Sequence, residues 1–203
     1  MNQVEILVLA NSIKHHQHCI AGKYLASGQW VRPVSNEAGA ELNHNQAKYQ
    51  NPYGTFTVKP LQKIFMNFSR HVPLTHQPEN YLIDDTVWRQ NYSIDLNELN
   101  NHLDHPDSLW GEGNRVPYIQ IQLGTIKIEQ SLYLVKVDNI QLYMKDDKRK
   151  ISFKYNEFDY ELPATDPNFD NLFGDFSKIC GVICVSLGEE FQGNCYKLVA
   201  TIF

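Results

Sequence analysis

The sequence predicts a mainly β chain made of two small closed barrels, each of about five strands, joined by an acidic and partly helical connector. Three observations lead there. Alternating apolar residues cluster at both ends of the chain, and one middle segment alone repeats with a helical period. Tyr and Phe, with eleven and ten copies in 203 residues, favour pleated surfaces. Short antiparallel strands in series favour closure, because a closed sheet has no exposed edge. The expected boundaries are 1–76 for the first barrel, 77–116 for the connector and 117–203 for the second barrel.

In the first part, Val4 to Ala10 is an apolar run that reads as a buried strand ended by Asn11-Ser12. Cys19 to Leu25 and Trp30 to Val34 read as a hairpin around Ser27-Gly28-Gln29. Gly22 inside its strand signals a bulge, a bend or the close approach of another backbone, and Pro33 points to an edge strand or a strand end. Residues 35–54 are rich in Asn, Gln and Gly and read as a long loop. Phe56-Thr57-Val58 and Ile64-Phe65-Met66 are β-type patches.

The middle offers Ser93 as a helix cap, with Leu96, Leu99 and Leu103 on one face, and His105-Pro106 as the stop. From Tyr118 the alternation returns. Ile119, Ile121 and Leu123 form one set, and Ile151, Phe153 and Tyr155 another. Phe158, Tyr160 and Leu162 form a third, with Asp146-Asp147 as a polar turn. Ile179 to Leu187 and Tyr196 to Phe203 read as the last two strands.

Charge is distributed unevenly. Residues 1–76 hold seven Lys/Arg against three Asp/Glu, a net of +4 within a chain of net −5. Residues 77–112 hold one Arg against eight Asp/Glu, a net of −7. A basic face on the first part therefore survives an acidic balance that argues against a generic nucleic-acid binder. The start MNQVEILVLANS lacks a basic region and a cleavage site, and no apolar run approaches the roughly 20 residues of a membrane helix. The expectation is a cytoplasmic protein with no membrane partner. Its four cysteines read as reduced core thiols. Cys180 and Cys184, four apart on a strand, would sit roughly 13 Å from each other, too far for a disulfide or a shared ion.

Four pieces carry a resemblance: ILVLANSIKHH (6–16), CIAGKYLASGQWVRPVS (19–35), HQPENYLID (76–84) followed by Trp88, and VICVSLGEEFQGNCYKLVATIF (182–203). Together they resemble the bacterial dual OB-containing domain family, a module of two oligonucleotide/oligosaccharide-binding-type barrels. The resemblance implies two OB-like five-stranded barrels over nearly the whole chain. It implies little about molecular activity.

The first candidate site is Lys14, Lys23, Trp30 and Arg32, with Lys197 as a further cation. Lys and Arg neutralise phosphate, and an exposed Trp offers a face for a base. The alternative is a core Trp30. Residues 30 and 32 share a strand face, so a buried Trp30 would draw Arg32 inward, where its charge needs a partner. The second candidate is His76, Gln77, Glu79 and Asn80. These could hold a base edge or a ribose, or form a structural turn. His15, His16, His18 and Cys19 are too crowded for one ion, so no metal is expected. No catalytic motif is present and no cofactor is implied. The expected function is a non-catalytic binding module for single-stranded nucleic acid or a nucleotide-like ligand. The alternatives are a protein-interaction adaptor docking through the acidic middle segment and a metal-dependent nuclease at Asp84-Asp85.

Overall fold

The computed structural model describes residues 3–203. Its chain divides into two compact units. One holds the chain through Leu74 together with Pro78–Leu99, and the other holds Thr75–Gln77 with Asn100–Phe203. Both are mainly β.

The first unit is organised around β1 (Val4–Lys14) and β2 (Gln17–Tyr24). Strand β1 does not stop at Asn11-Ser12. It runs on because β2 pairs with it as far as Lys14↔Gln17, and because the Asn11 side chain donates to the Val58 carbonyl at 2.6 Å. A polar pair inside a strand is tolerated when such bonds are supplied. Gly22 sits where β1 and β2 press together. A Cβ there would lie 2.2 Å from the Leu7 carbonyl oxygen, and β1 bulges between Val8 and Ala10. Strand β3 (Trp30–Val34) follows the Gly28 turn, as expected.

Pro33 does not make β3 an edge. Strand β3 lies between β2 and β8 (Asn80–Ile83). The β2 ladder ends at Val31, while the Arg32 N–H donates toward the other neighbour, to the Glu79 carbonyl. The missing proline N–H thus falls where no ladder bond is needed.

The long polar stretch also contains structure. Strands β4 (Lys48–Asn51) and β5 (Gly54–Thr57) form a hairpin through Asn51↔Gly54. Strands β6 (Gln62–Met66), β7 (Phe68–His71) and β9 (Trp88–Ser93) complete a nine-stranded sheet in the order β5-β4-β9-β6-β1-β2-β3-β8-β7. Residues 80–93, expected in the connector, therefore supply two strands of the first sheet. Trp88 is buried in the first core beside Tyr49, Ile64 and Met66. The expected helix is a 3₁₀ segment, Leu96–His102, and of its expected apolar face Leu99 alone is fully buried.

The second unit pairs β10 (Arg115–Pro117), β16 (Asn194–Ile202), β15 (Val182–Phe191) and β11 (Leu132–Lys136) in one sheet. Strands β12 (Asp138–Lys145), β13 (Lys148–Tyr155) and β14 (Phe158–Pro163) form another. One core of Val135, Ile151, Phe153, Leu162, Phe169 and Val185 lies among them. Asp146 and Asp147, both at positive φ, form the tight β12–β13 turn that the sequence signalled.

Two expected strand positions differ. Tyr118–Gln122 is a short helix, α1, following Pro117, and it buries Ile121 while exposing Ile119 and Leu123. A three-residue alternation is too short to decide between the two periods. Cys180 lies outside β15, exposed, because Gly181 at positive φ breaks the chain just before Val182. Among the described residues all four cysteines are free thiols, and no helix is long and apolar enough to cross a membrane.

Candidate nucleic-acid interface

Cross-strand partners in a sheet share a face, so the register sorts the first unit's side chains. Ile6, Val8, Ile20, Val31, Ile64 and Met66 point into the core. The opposite face carries two continuous rows. One runs Lys63–Leu7–Lys23–Trp30 across β6, β1, β2 and β3. The other runs Thr55–Gln50–Arg89–Phe65–Glu5 across β5, β4, β9, β6 and β1. Within these rows the single carboxylate is Glu5, and its Oε1 accepts from Asn91 at 2.6 Å. Tyr92 joins the face at the β9 irregularity. Lys63 Nζ stands 4.1 Å from its ring centroid and donates to its hydroxyl at 2.6 Å.

The face is unevenly exposed. Trp30 is only 5 % exposed, and Lys23 and Arg32 are buried with it. Lys23 Nζ sits 5.1 Å from the Trp30 ring centroid. The expectation of an open Trp30 is therefore corrected: a base has no access to that ring. Arg32 follows Trp30 inward, and Glu79 supplies an opposite charge, with Arg32 Nε 3.4 Å from Glu79 Oε1. Burial without a counter-charge would be costly, which is why the two expected sites meet at this pair. The other end of the face is open. Gln50 and Arg89 are exposed, Tyr92 is 53 % exposed and Phe65 is half-buried.

The remaining predicted residues are scattered. Lys14 ends β1 and pairs with Glu41 at 3.1 Å. His76 and Gln77 belong to the second unit, where the His76 ring meets Tyr118 edge-on, and Glu79 and Asn80 belong to the first. His18 is held within the fold, Nδ1 against Asn11 Oδ1 at 2.9 Å and Nε2 near His44. Since Asn11 donates its amide to Val58, its oxygen is left to accept, so His18 carries its proton on Nδ1. Burial and His44 lower the His18 pKa.

Lys197 is not part of any open surface. It is 0 % exposed, and its ammonium donates to the carbonyls of Gly111, Glu112 and Gly113 at 2.6, 3.0 and 3.0 Å, with the Tyr160 ring alongside. Burial pushes its pKa down from 10.5 to about 8, against an upward pull from Glu112. The unfolded chain then holds this proton more tightly than the folded one. Below about pH 8 both states are charged and the burial penalty is constant. As pH climbs from about 8 toward 10.5 the folded state sheds the proton first, and stability rises. We expect urea denaturation at about pH 8 and about pH 9.5 to show the wild type gaining on a Lys197→Met variant, by up to about 1 kcal/mol per pH unit after screening. A pH-independent gap would contradict this.

Sequence reasoning missed Arg89, Phe65 and Tyr92. Arg89 is the one basic residue of the acidic segment, and nothing around it alternates clearly enough to mark a strand face. A family model described as the dual OB-containing domain matches residues 4–202. The chain belongs to that family. This dual OB domain matches no curated protein. Among solved structures it is similar to the p204 HINb domain, at 9 % identity and TM-score 0.37, covering 98 % of this chain and 96 % of that one. It is also similar to a murine DNA binding protein bound with double-stranded DNA, at 10 % identity and TM-score 0.35, covering 99 % and 96 %. The tetrameric p202 HIN2 domain follows at 9 % identity and TM-score 0.32, covering 98 % and 88 %. Likeness at this level assigns no ligand to the dual OB domain.

Proposed function

We propose that this dual OB domain is a non-catalytic binding module for single-stranded nucleic acid, which lies on the exposed end of the first sheet's outer face. One observation carries the reading. The register places Arg89, Phe65 and Tyr92 side by side on a face turned away from the core, with Lys48 two residues from Gln50 on the same side and the buried Lys63 held beneath Tyr92. Cations spaced along a sheet neutralise successive phosphates, and aromatic faces between them stack bases of any sequence. Sheet faces of OB-type barrels are used in this way. Proteins that combine the two features bind with strong salt dependence.

Fluorescence anisotropy with a labelled short oligo-dT, at low and moderate salt, tests the site. Stacking is worth roughly 1–3 kcal/mol per base, so Tyr92→Ala should weaken binding about tenfold or more. Arg89→Ala should weaken it too and flatten the salt dependence by about one unit of slope, as loss of one phosphate contact requires. Failure of the wild type to bind even at low salt overturns the reading. Binding that ignores both substitutions moves the site elsewhere.

A further inference from the structure

The outer face leads into a cleft of about 420 Å³ in the first unit, and Lys48, Gln50 and Thr55 belong to both. That volume lies in the range of small-ligand sites, although the cleft is open to solvent along one side. Its two walls have opposite hydrogen-bonding character.

One wall is the turn before β4. Asn43 Oδ1 accepts from the backbone N–H of Asn45 and of Gln46, at 2.9 and 3.0 Å. Gln46 Oε1 accepts from the Asn43 N–H at 2.9 Å, and Asn45 Oδ1 from Lys48 Nζ at 3.1 Å. All three side-chain carbonyls thus accept inside the turn, Asn43 twice and the other two once each. The amide NH₂ ends remain free to donate, so donors outnumber the acceptor positions left on this wall. Asp84 and Asp85 line the same cleft. Asp84 Oδ1 is occupied by the Thr86 N–H. Asp85 lines the cleft and stays exposed, so its carboxylate offers two acceptor oxygens.

This mixed lining disfavours simple ions. A free phosphate meets the two carboxylates, and a cation meets Lys48 and the amide N–H groups. A neutral planar edge with donors beside an acceptor satisfies both walls. A carboxylate asks for two adjacent N–H donors, and among the common bases guanine alone presents them, N1–H and N2–H₂, next to the acceptor O6. We propose that the cleft is a guanine-reading pocket, in which Asp85 accepts from N1–H and N2–H₂ while the amide wall donates to O6. The inference rests on the strand reading above. It adds that the module is not indifferent to sequence.

The test uses the full chain and two probes. The first is oligo-dT against the same strand with one central thymine replaced by guanine or by adenine. The guanine strand should bind at least about fivefold more tightly than the adenine strand, and Asp85→Asn should bring that ratio to within about twofold. The second is guanosine alone, titrated calorimetrically against wild type and Asp85→Asn. Strands that bind equally well overturn the guanine pocket and leave the strand site standing. Guanosine binding that Asp85→Asn abolishes, with no strand bound, upholds the pocket and removes the strand reading. If neither probe binds, both fall.

Discussion

Gly22→Ala should destabilise the first unit by about 3 kcal/mol, at the upper end of what one added methyl usually costs. The new Cβ would lie 2.2 Å from the Leu7 carbonyl oxygen, 2.9 Å from the Leu7 carbonyl carbon and 2.8 Å from Ile6 Cγ2. Two of these are backbone atoms of a fully buried segment, so no flexible side chain can swing away to make room. The strand pair itself must separate, and it is the most extensive pairing of that unit, running from Ile6↔Tyr24 to Lys14↔Gln17. Thermal and urea denaturation should show the loss, with β-type circular dichroism retained at low temperature. An unchanged midpoint would mean that β1 and β2 do not approach so closely.

Removing Glu79 should cost even more. Arg32 is buried on the strand face of Trp30, and Glu79→Ala takes away the carboxylate 3.4 Å from its guanidinium. Breaking a buried pair from one side typically costs about 3–5 kcal/mol, because the surviving charge keeps its desolvation penalty and loses this part of its compensation. A double variant, Arg32→Met with Glu79→Met, should recover most of that loss, since apolar replacements of similar size remove both charges together. Equilibrium denaturation of the two single variants and the double decides this. If Glu79→Ala is neutral, the guanidinium is not held by this pair. If the double is no better than the singles, the loss comes from packing.

The Arg32–Glu79 pair also marks how far the sequence can be read. Alternation places residues 30 and 32 on the same face, and a buried Trp30 then demands an acid for Arg32. What alternation does not supply is the address of that acid, 47 residues away on the approach to β8. The same limit hides β9. Trp88-Arg89-Gln90-Asn91-Tyr92 has a single strongly apolar residue at its start, so it lacks the period that marks a strand. It becomes a strand because β6 on one side and β4 on the other offer ladder partners, and unpaired backbone groups beside them would be costly.

By itself the sequence determined that this chain is built mainly of strands, that hairpins turn at Gly28 and at Asp146-Asp147, that Gly22 marks a bulge, a bend or a close backbone approach, and which family the chain belongs to. These are decided by neighbouring residues, through turn chemistry and side-chain period, or by motifs that survive in one dimension. The tertiary structure alone decided which cations stand together. Lys23 and Arg32 lie buried beside Trp30, Lys197 is locked onto three carbonyls, and Arg89 comes out of an acidic segment to lie between Gln50 and Phe65. Strand register is a non-local quantity: a shift of one residue would turn every one of these side chains to the opposite face, and only the packing of the whole sheet fixes it.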